Sequence, residues 1–395
     1  MTPHQRKIAG IVSSLLDWFA QNARDLPWRR TRDPYAIWVS EIMLQQTQVK
    51  TVLPFWERWM RELPTIESVA KAGSDKIHKL WEGLGYYTRV RNLQKAAQVI
   101  VSEGRRRGNE SQIKTGNQKT KKKSETPHVV SYEFPRKFED VLALPGIGRY
   151  TAGAICSIAF NQPTPLLDGN VMRVLTRIFG IEKDPREKET NELLWQMAGE
   201  LVSHAKAQSS QSKNKKNSCS HLNQSLMELG ALICTPRNPQ CLICPVNKLC
   251  VAYKEGRTEE LPNLGKREAA TARRFVAFLI EHRGKYLVRQ RPVGVVNAHL
   301  WEFPNVEMNG AATGAAAVFK SEFGFVPPEL EPLPAVKHSI TRYRITLEAF
   351  RVSLKKSPKM PGGTWLAQAE FDTIAFTAAH KKLASFAAND MLSDH

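Results

Sequence analysis

Nowhere in the 395 residues is there a run of about eighteen apolar residues, so nothing reads as a membrane span. The opening residues Met1-Thr2-Pro3-His4-Gln5-Arg6-Lys7 lack the apolar stretch of a signal peptide, and the expectation is a cytoplasmic protein without a targeting segment. Cysteine is scarce and unevenly spread. Of six, four crowd between Cys234 and Cys250, which points to metal ligation rather than to a disulfide framework. Acid is also short: 38 Asp and Glu against 57 Lys and Arg leave a formal net charge of +19, which disfavours cationic partners and suits a polyanion. Much of that excess is local, with eight basic residues and one Glu in 105–123 and four Lys with no acid in 203–221. Charge by itself therefore says little about nucleic acid.

The first 250 residues are patterned as helices. Ile8, Ile11, Val12, Leu15, Leu16 and Phe19 repeat at helical spacing over 5–20. Asp33-Pro34 is a capping Asp before a Pro at the first helical position, and predicts a helix through Glu41 to Val49. Further helices are expected near 51–62, 66–72, 75–82, 88–103, 138–144, 150–160, 170–179, 187–203 and 222–233. Two segments, 105–131 and 205–221, have too few apolar groups to offset ordering entropy and read as disordered basic insertions. Residues 254–273 read as a linker. Beyond it the period changes: Phe275–Ile280 is continuously apolar, Tyr286–Arg289 reads as a return strand, 311–322 as an Ala-rich helix and 340–353 as an alternating strand.

Three constellations carry chemistry. Cys234, Cys241, Cys244 and Cys250, separated by six, two and five residues, can enclose one metal centre. Four-cysteine zinc is the generic alternative, but zinc prefers two tight pairs and only Cys241/Cys244 is one. The spacing resembles the [4Fe–4S] loop of the endonuclease III superfamily. In Leu144-Pro145-Gly146-Ile147-Gly148-Arg149-Tyr150, Gly146 and Gly148 permit a tight turn into a helix whose free N–H groups suit phosphate. Last come two acids. Glu41 has Ile37, Trp38 and Leu44 among its neighbours one turn away, so burial should raise its pKa and fit it for general-acid work. On local sequence alone a buried Glu paired with Arg is the favoured reading. Asp168 reads as a helix N-cap, a role compatible with facing a cleft.

Longer stretches carry a family resemblance. Leu26-Pro27-Trp28-Arg29, the run from Glu41 to Val49, Leu84-Gly85-Tyr86-Tyr87-Thr88-Arg89, Pro165–Val171 and Asn223–Gly230 are similar to segments of the MutY family of adenine DNA glycosylases. The resemblance covers about residues 5–255 apart from the two insertions. It implies that Glu41 protonates an extruded adenine and that Asp168 stabilises the sugar cation, a two-carboxylate logic like that of glycoside hydrolysis. Tyr150 and Asn170 would position them. Relatives that also cut the strand carry a lysine where this chain has Tyr150, so the backbone should stay intact. Arg24, Leu26, Trp28 and Arg29 match the adenine-pocket segment. Gln46 and Tyr86 would wedge the stack, and Thr47 and Leu84 would contact the oxidised guanine. Without the resemblance, Gln46 and Tyr86 are ordinary polar and aromatic surface residues, and Arg24 and Arg29 are solvated cations.

Residues 274–395 resemble the MutT-like, Nudix-type domain that ends these proteins, through Leu300-Trp301-Glu302-Phe303-Pro304. A hydrolase of that type needs a Glu-rich box. The stretch Ala315–Gly324 offers only Glu322, so recognition is the expected role. A Phe-Ser-His lesion-reading loop of the family is replaced by Ile340-Thr341-Arg342. Thr341 can supply the hydroxyl and Arg342 the donors.

The expected fold is thus an all-α, two-lobed helix-hairpin-helix glycosylase over 1–253 with a [4Fe–4S] loop, a linker over 254–273, and an α+β Nudix-like lesion-recognition domain over 274–395. The expected partner is double-stranded DNA with adenine opposite 8-oxoguanine or guanine, bound by a monomer, with no membrane. A glycosylase/lyase for oxidised pyrimidines and a non-catalytic DNA-binding protein are the competing readings, against which Tyr150 and the retained Glu41 and Asp168 respectively count.

Overall fold

The computed structural model describes residues 1–114, 133–211, 217–265, 269–308, 314–340, 342–358 and 360–388, with backbone only for 105–114 and 209–211. They divide into two compact units: Met1–Lys71 with Asn92–Arg267, and Ala72–Arg91 with Glu268–His395. No described helix is long and apolar enough to cross a membrane.

The first unit is helical. In chain order its elements are α1 (Pro3–Asn22), α2 (Pro34–Leu44), α3 (Val49–Glu62) and α4 (Ile66–Lys71). The next two helices begin in the other unit and at the boundary: α5 (Ser74–Trp81) and α6 (Thr88–Lys114). Then come α7 (Phe138–Leu142), α8 (Arg149–Phe160), α9 (Gly169–Phe179), α10 (Lys188–Gln211), α11 (Ser218–Leu232) and the single turn α12 (Val251–Lys254). The Thr2 side chain accepts from the Gln5 N–H and closes a capping box on α1, whose Ile8, Ile11, Val12, Leu15 and Phe19 are buried. The Asp33 side chain caps α2 through the Tyr35 N–H, with Pro34 in the first turn. Helix α11 is the axis of the unit, packing on α1, α8, α9 and α10.

Close approach fixes two glycines. A Cβ on Gly153 of α8 would lie 2.0 Å from the Pro165 carbonyl oxygen, and one on Gly230 of α11 would lie 2.7 Å from the Asn170 Cβ. Any side chain at Gly230 would push α11 away from the start of α9, where Asp168 and Asn170 sit.

Several expectations need correction. Helix α2 ends at Leu44 instead of Val49, because Gln46 adopts φ +57° and breaks the chain before α3. The segments read as disordered are in part ordered. Helices α6 and α10 extend into them, α11 begins at Ser218, and Ala205 and Cys219 are fully buried in the helical core. Extending an existing helix adds one hydrogen bond per residue without a new nucleus, and small residues fill a core as well as large ones do. Residues 115–132 and 212–216 of those segments lie outside the described residues. The start of the expected linker belongs to the helical core: Leu261 is buried, and its carbonyl accepts from Arg177 Nε at 2.8 Å.

The second unit is built on one mixed sheet. Its strands are β1 (Thr271–His282), β2 (Lys285–Gln290), β3 (Trp301–Glu302), β4 (Asn305–Glu307), β5 (Glu331–Ile340), β6 (Tyr343–Ser353) and β7 (Gly363–Ala367). The order is β3-β2-β1-β6-β5, with β4 on β1 and β7 on β2, and only β1 and β6 run parallel among these pairs. The continuous apolar run in β1 arises because both faces are covered. Val276, Phe278 and Ile280 pack under Val318 and Phe319 of α13 (Ala315–Phe323), while Ala277 and Leu279 pack with Leu383 of α14 (Ala378–Ala388). The strand expected over 340–353 is a hairpin end: Ile340 closes β5 and pairs with Tyr343, which opens β6.

Candidate active site

Helices α2, α8, α9 and α11 border an open cleft of about 1080 Å³ in the helical unit. The expected residues Arg24, Leu26, Trp28, Arg29, Glu41, Gln46, Thr47, Gly148, Tyr150, Asp168 and Asn170 all line it. Gly146 is not among the lining residues. Its φ of +75° makes the turn between α7 and α8, and a Cβ there would strike Asn92 at 2.4 Å. Gly148 has ordinary extended backbone at φ −95°, contrary to the expectation that the turn needs it. It caps α8 without a side chain and leaves the first N–H groups of the helix uncovered.

Glu41 is 4% exposed, deep in α2. Its partner is a phenol, not the arginine that local sequence allowed: the Tyr150 hydroxyl of α8 donates to Glu41 Oε2 at 2.6 Å. Burial pushes the Glu41 carboxyl up to about 7, the Tyr150 hydrogen bond opposes this, and the Asp168 charge adds to it. Burial, with the nearby charges of Glu41 and Asp168, drives the Tyr150 phenol well above its ordinary value, so it stays a donor. Tyr150 engages one carboxyl oxygen and leaves the other for a proton.

Asp168 both caps a helix and faces the cleft. Its Oδ1 accepts the Val171 N–H of α9 at 2.7 Å, and Asn170 Nδ2 donates to Oδ2 at 3.3 Å. Burial raises its pKa, opposed by those hydrogen bonds and by Arg173. Arg173, which sequence reading passed over, donates to Asn170 Oδ1, to the Gly230 carbonyl and to the Cys234 carbonyl, each at 2.8 Å. A chain of hydrogen bonds thus runs from Asp168 to the cysteine loop.

Glu228 of α11 was also missed as a site residue. Its side chain is 1% exposed and takes both arginines of the cleft wall. Arg24 donates through Nε at 2.8 Å and Nη2 at 2.6 Å, and Arg29 through Nη1 at 3.1 Å and Nη2 at 2.9 Å. Burial alone would raise Glu228, but the hydrogen bonds from Arg24 and Arg29 outweigh it and hold the carboxylate at about 2. Arg24 and Arg29 are therefore committed structural cations, not solvated ones. The available signal was the one acid of α11, inside the Asn223–Gly230 stretch that carries the family resemblance.

Gln46 and Tyr86 share a feature invisible to periodicity: φ of +57° and +46°, the left-handed region that non-glycine residues seldom occupy. Leu84 is 5% exposed and Tyr86 49%, in the second unit. There Arg342 donates to the Tyr343 hydroxyl at 3.4 Å at the end of the β5–β6 hairpin, while Thr341 lies outside the described residues. In the same unit Glu302 is tied to Arg291 and, at 3.0 Å, to Arg289, which also lies 3.8 Å from Glu322. Glu322, the one acid of the expected metal-binding box, thus lies beside an arginine.

Cys234, Cys241, Cys244 and Cys250 line one small cavity with Val174, Leu229 and Ile233. All four are free thiols. Among the described residues no three ligating side chains converge on a point where a lone ion could sit. Four cysteine sulfurs facing one space are the usual donor set of an iron–sulfur cluster. Arg177 Nη1 donates to Cys234 Sγ at 3.4 Å, a contact suited to a thiolate. Burial pushes the Cys244 thiol up to about 12, so a strongly attracting metal centre is needed to hold it ionised.

Comparison with known proteins agrees with this geometry. Residues 39–200 match the HhH-GPD superfamily of base excision DNA repair proteins, residues 234–250 the iron-sulfur binding domain of endonuclease III, and residues 275–385 the NUDIX domain. An adenine DNA glycosylase of Rattus norvegicus is 33% identical over 94% of this chain and 76% of its own length. That of Homo sapiens is 32% identical over 95% of this chain and 74% of its own. A thermostable thymine-DNA glycosylase superposes with a TM-score of 0.50 at 27% identity, over 64% of this chain and all of that one. The four-cysteine loop is accordingly an iron–sulfur site of the [4Fe–4S] type, the helical unit carries a helix-hairpin-helix, the second unit is Nudix-like, and the chain belongs to the adenine DNA glycosylase family of DNA N-glycosylases.

Proposed function

We propose that this enzyme removes adenine mispaired with 8-oxoguanine, or with guanine, from double-stranded DNA and leaves the strand uncut. The observation that carries the reading is Glu41, buried beside Tyr150 with a pKa near 7 in the cleft that also holds Asp168. The base must leave the stack before its glycosidic bond is accessible. Gln46 and Tyr86 wedge the vacated stack, and Thr47, Leu84, Thr341 and Arg342 contact the oxidised guanine. Phosphates lie on the turn of Gly146 and Gly148 and on basic surface, so affinity falls with salt. The helix-hairpin-helix and the lobe holding α1 and the cysteine loop flank the duplex, and one copy of the chain suffices.

In the reaction, protonated Glu41 donates to adenine N7. The C1′–N9 bond breaks with its electron pair leaving on adenine, and Asp168, oriented by Asn170 and Arg173, stabilises the cationic sugar. Water adds at C1′ and its proton returns to the Glu41 carboxylate. The products are adenine and an abasic site. Tyr150, held by Glu41, has no amine to form a Schiff base, which is why no lyase step follows. Cys234, Cys241, Cys244 and Cys250 would hold the cluster, which would brace their loop, and Arg173 donates to the Cys234 carbonyl from the Asp168 side.

A labelled duplex with one adenine opposite 8-oxoguanine tests this. Strand breakage only after hot alkali is expected. Breakage without alkali, still present in Glu41→Gln, would mean contamination. Breakage without alkali that disappears in that variant would contradict the monofunctional reading.

A further inference from the structure

Segment 72–91 lies with the sheet unit although it is remote from it in sequence. The contacts that hold it there are specific. Glu82, just after α5, has a side chain only 5% exposed. Its Oε1 accepts the Phe376 N–H at 3.0 Å, and its Oε2 accepts from Lys381 Nζ at 2.6 Å and lies 3.1 Å from Lys79 Nζ. Lys79 Nζ also donates to the Ile374 carbonyl at 2.9 Å. At the far end of the segment, Arg91 donates to the Ala298 carbonyl at 3.1 Å.

The loop between these anchors is stiff. Trp81 Nε1 donates to the Gly85 carbonyl at 3.0 Å, Arg89 Nη2 donates to the Leu84 carbonyl at 2.8 Å, and the Arg89 guanidinium lies 5.6 Å from the Tyr86 ring centre. Gly83 and Gly85 at φ +112° and +66° and Tyr86 at +46° make a turn that external anchoring must maintain. A buried carboxylate one residue before that turn, engaging a backbone N–H and two ammonium groups, sets its foot.

We propose that Glu82 is a positioning residue through which the Nudix-like unit fixes the loop bearing Leu84 and Tyr86, so that this unit acts in base extrusion as well as in reading the lesion. The proposal rests on the wedge role given to Tyr86 above. Cutting the latch leaves Glu41 and Asp168 untouched and displaces the loop.

The test is extrusion watched directly, with 2-aminopurine beside the mispair in duplex DNA and single-turnover base release on the same substrate. Misplacement of about 1 Å at a reacting centre costs on the order of a hundredfold. Glu82→Ala should slow the fluorescence rise and base release together by about that factor, with the rate on adenine in a single strand unchanged and the pH profile unmoved. Lys381→Met removes one of the three contacts to Glu82 at a side chain 57% exposed, keeps the fold, and should give a smaller slowing of the same two signals. Wild-type extrusion in both variants, with Tyr86→Ala defective, would overturn the latch and keep the wedge. Wild-type extrusion in Tyr86→Ala would instead overturn the wedge reading on which the latch rests.

Discussion

The helical cleft and the sheet unit each bury a glutamate almost completely, Glu41 at 4% exposure and Glu302 at 3%. In the cleft, burial is opposed by the Tyr150 phenol and, more weakly, by the Arg29 charge, and the carboxyl rises to about 7. In the sheet unit, burial would also raise Glu302, but His380, Arg291 and Arg289 outweigh it and hold its pKa below the ordinary value. Equal burial thus gives a proton donor in one place and a fixed anion in the other. The deciding factor is whether the partner carries charge. Glu228, within the cleft itself, repeats the second case with Arg24 and Arg29.

The comparison is broken most directly at Glu41. Glu41→Gln should lower single-turnover base release by about 10²–10⁴-fold, the usual worth of a general acid, with duplex binding retained. Activity within tenfold of wild type would remove Glu41 from the chemistry. Next in size is Glu228→Gln, which strands the guanidinium groups of Arg29, 15% exposed, and Arg24, 35% exposed, and should cost about 1–3 kcal/mol in denaturant unfolding at pH 7, less than a fully buried pair because solvent screens Arg24. Because the Glu228 pKa is depressed to about 2, the ion-pair contribution is present above its ordinary value near 4.5 and fades as pH falls towards 2, so the gap between variant and wild type should narrow in acid.

The third test uses pH alone. Base release needs protonated Glu41, so its rate should be flat below about 7 and fall about tenfold per pH unit above it. The sign for stability is separate. A carboxyl raised from 4.5 to about 7 favours the folded state while protonated, and that contribution is lost as pH rises through about 7. Glu41→Gln should therefore gain on wild type in thermal melts between pH 5 and 8 by roughly 1–3 kcal/mol. A constant difference across that range would place the Glu41 pKa near its ordinary value. The smallest effect is expected at the edge of the sheet unit, where Arg342→Ala should reduce the preference for 8-oxoguanine over guanine opposite adenine by about tenfold, the worth of one good hydrogen-bonding contact to a base. Competitive base-release assays read it, and an unchanged preference would take Arg342 out of recognition.

Legibility followed the length scale of each feature. The cysteine spacing is local, so the metal loop stood out in the chain. The helix before Glu41 was legible from Asp33-Pro34, and the capping of α9 from Asp168. The end of α2 was not, because nothing in Gln45-Gln46-Thr47-Gln48 signals a left-handed residue; the surrounding fold imposes it. Cys219 was misplaced because small residues give no periodic apolar signal, although they pack fully. The assignment of 72–91 to the sheet unit hangs on Glu82 meeting Phe376 and Lys381 almost 300 positions away. No pattern within the segment encodes it.

By itself the sequence determined the helix-to-sheet change near residue 270, the four thiols of the cluster loop, and the presence of a tyrosine where a lyase would need an amine. These depend on residue identity and short spacing. Only the tertiary structure decided which acid is a proton donor. Glu41, Glu228 and Glu302 are the same residue type, similarly buried, and their chemistry differs because long-range packing brings a neutral phenol to one and guanidinium groups to the others. In a medium of low polarity, the charge of the nearest partner dominates the free energy of ionisation.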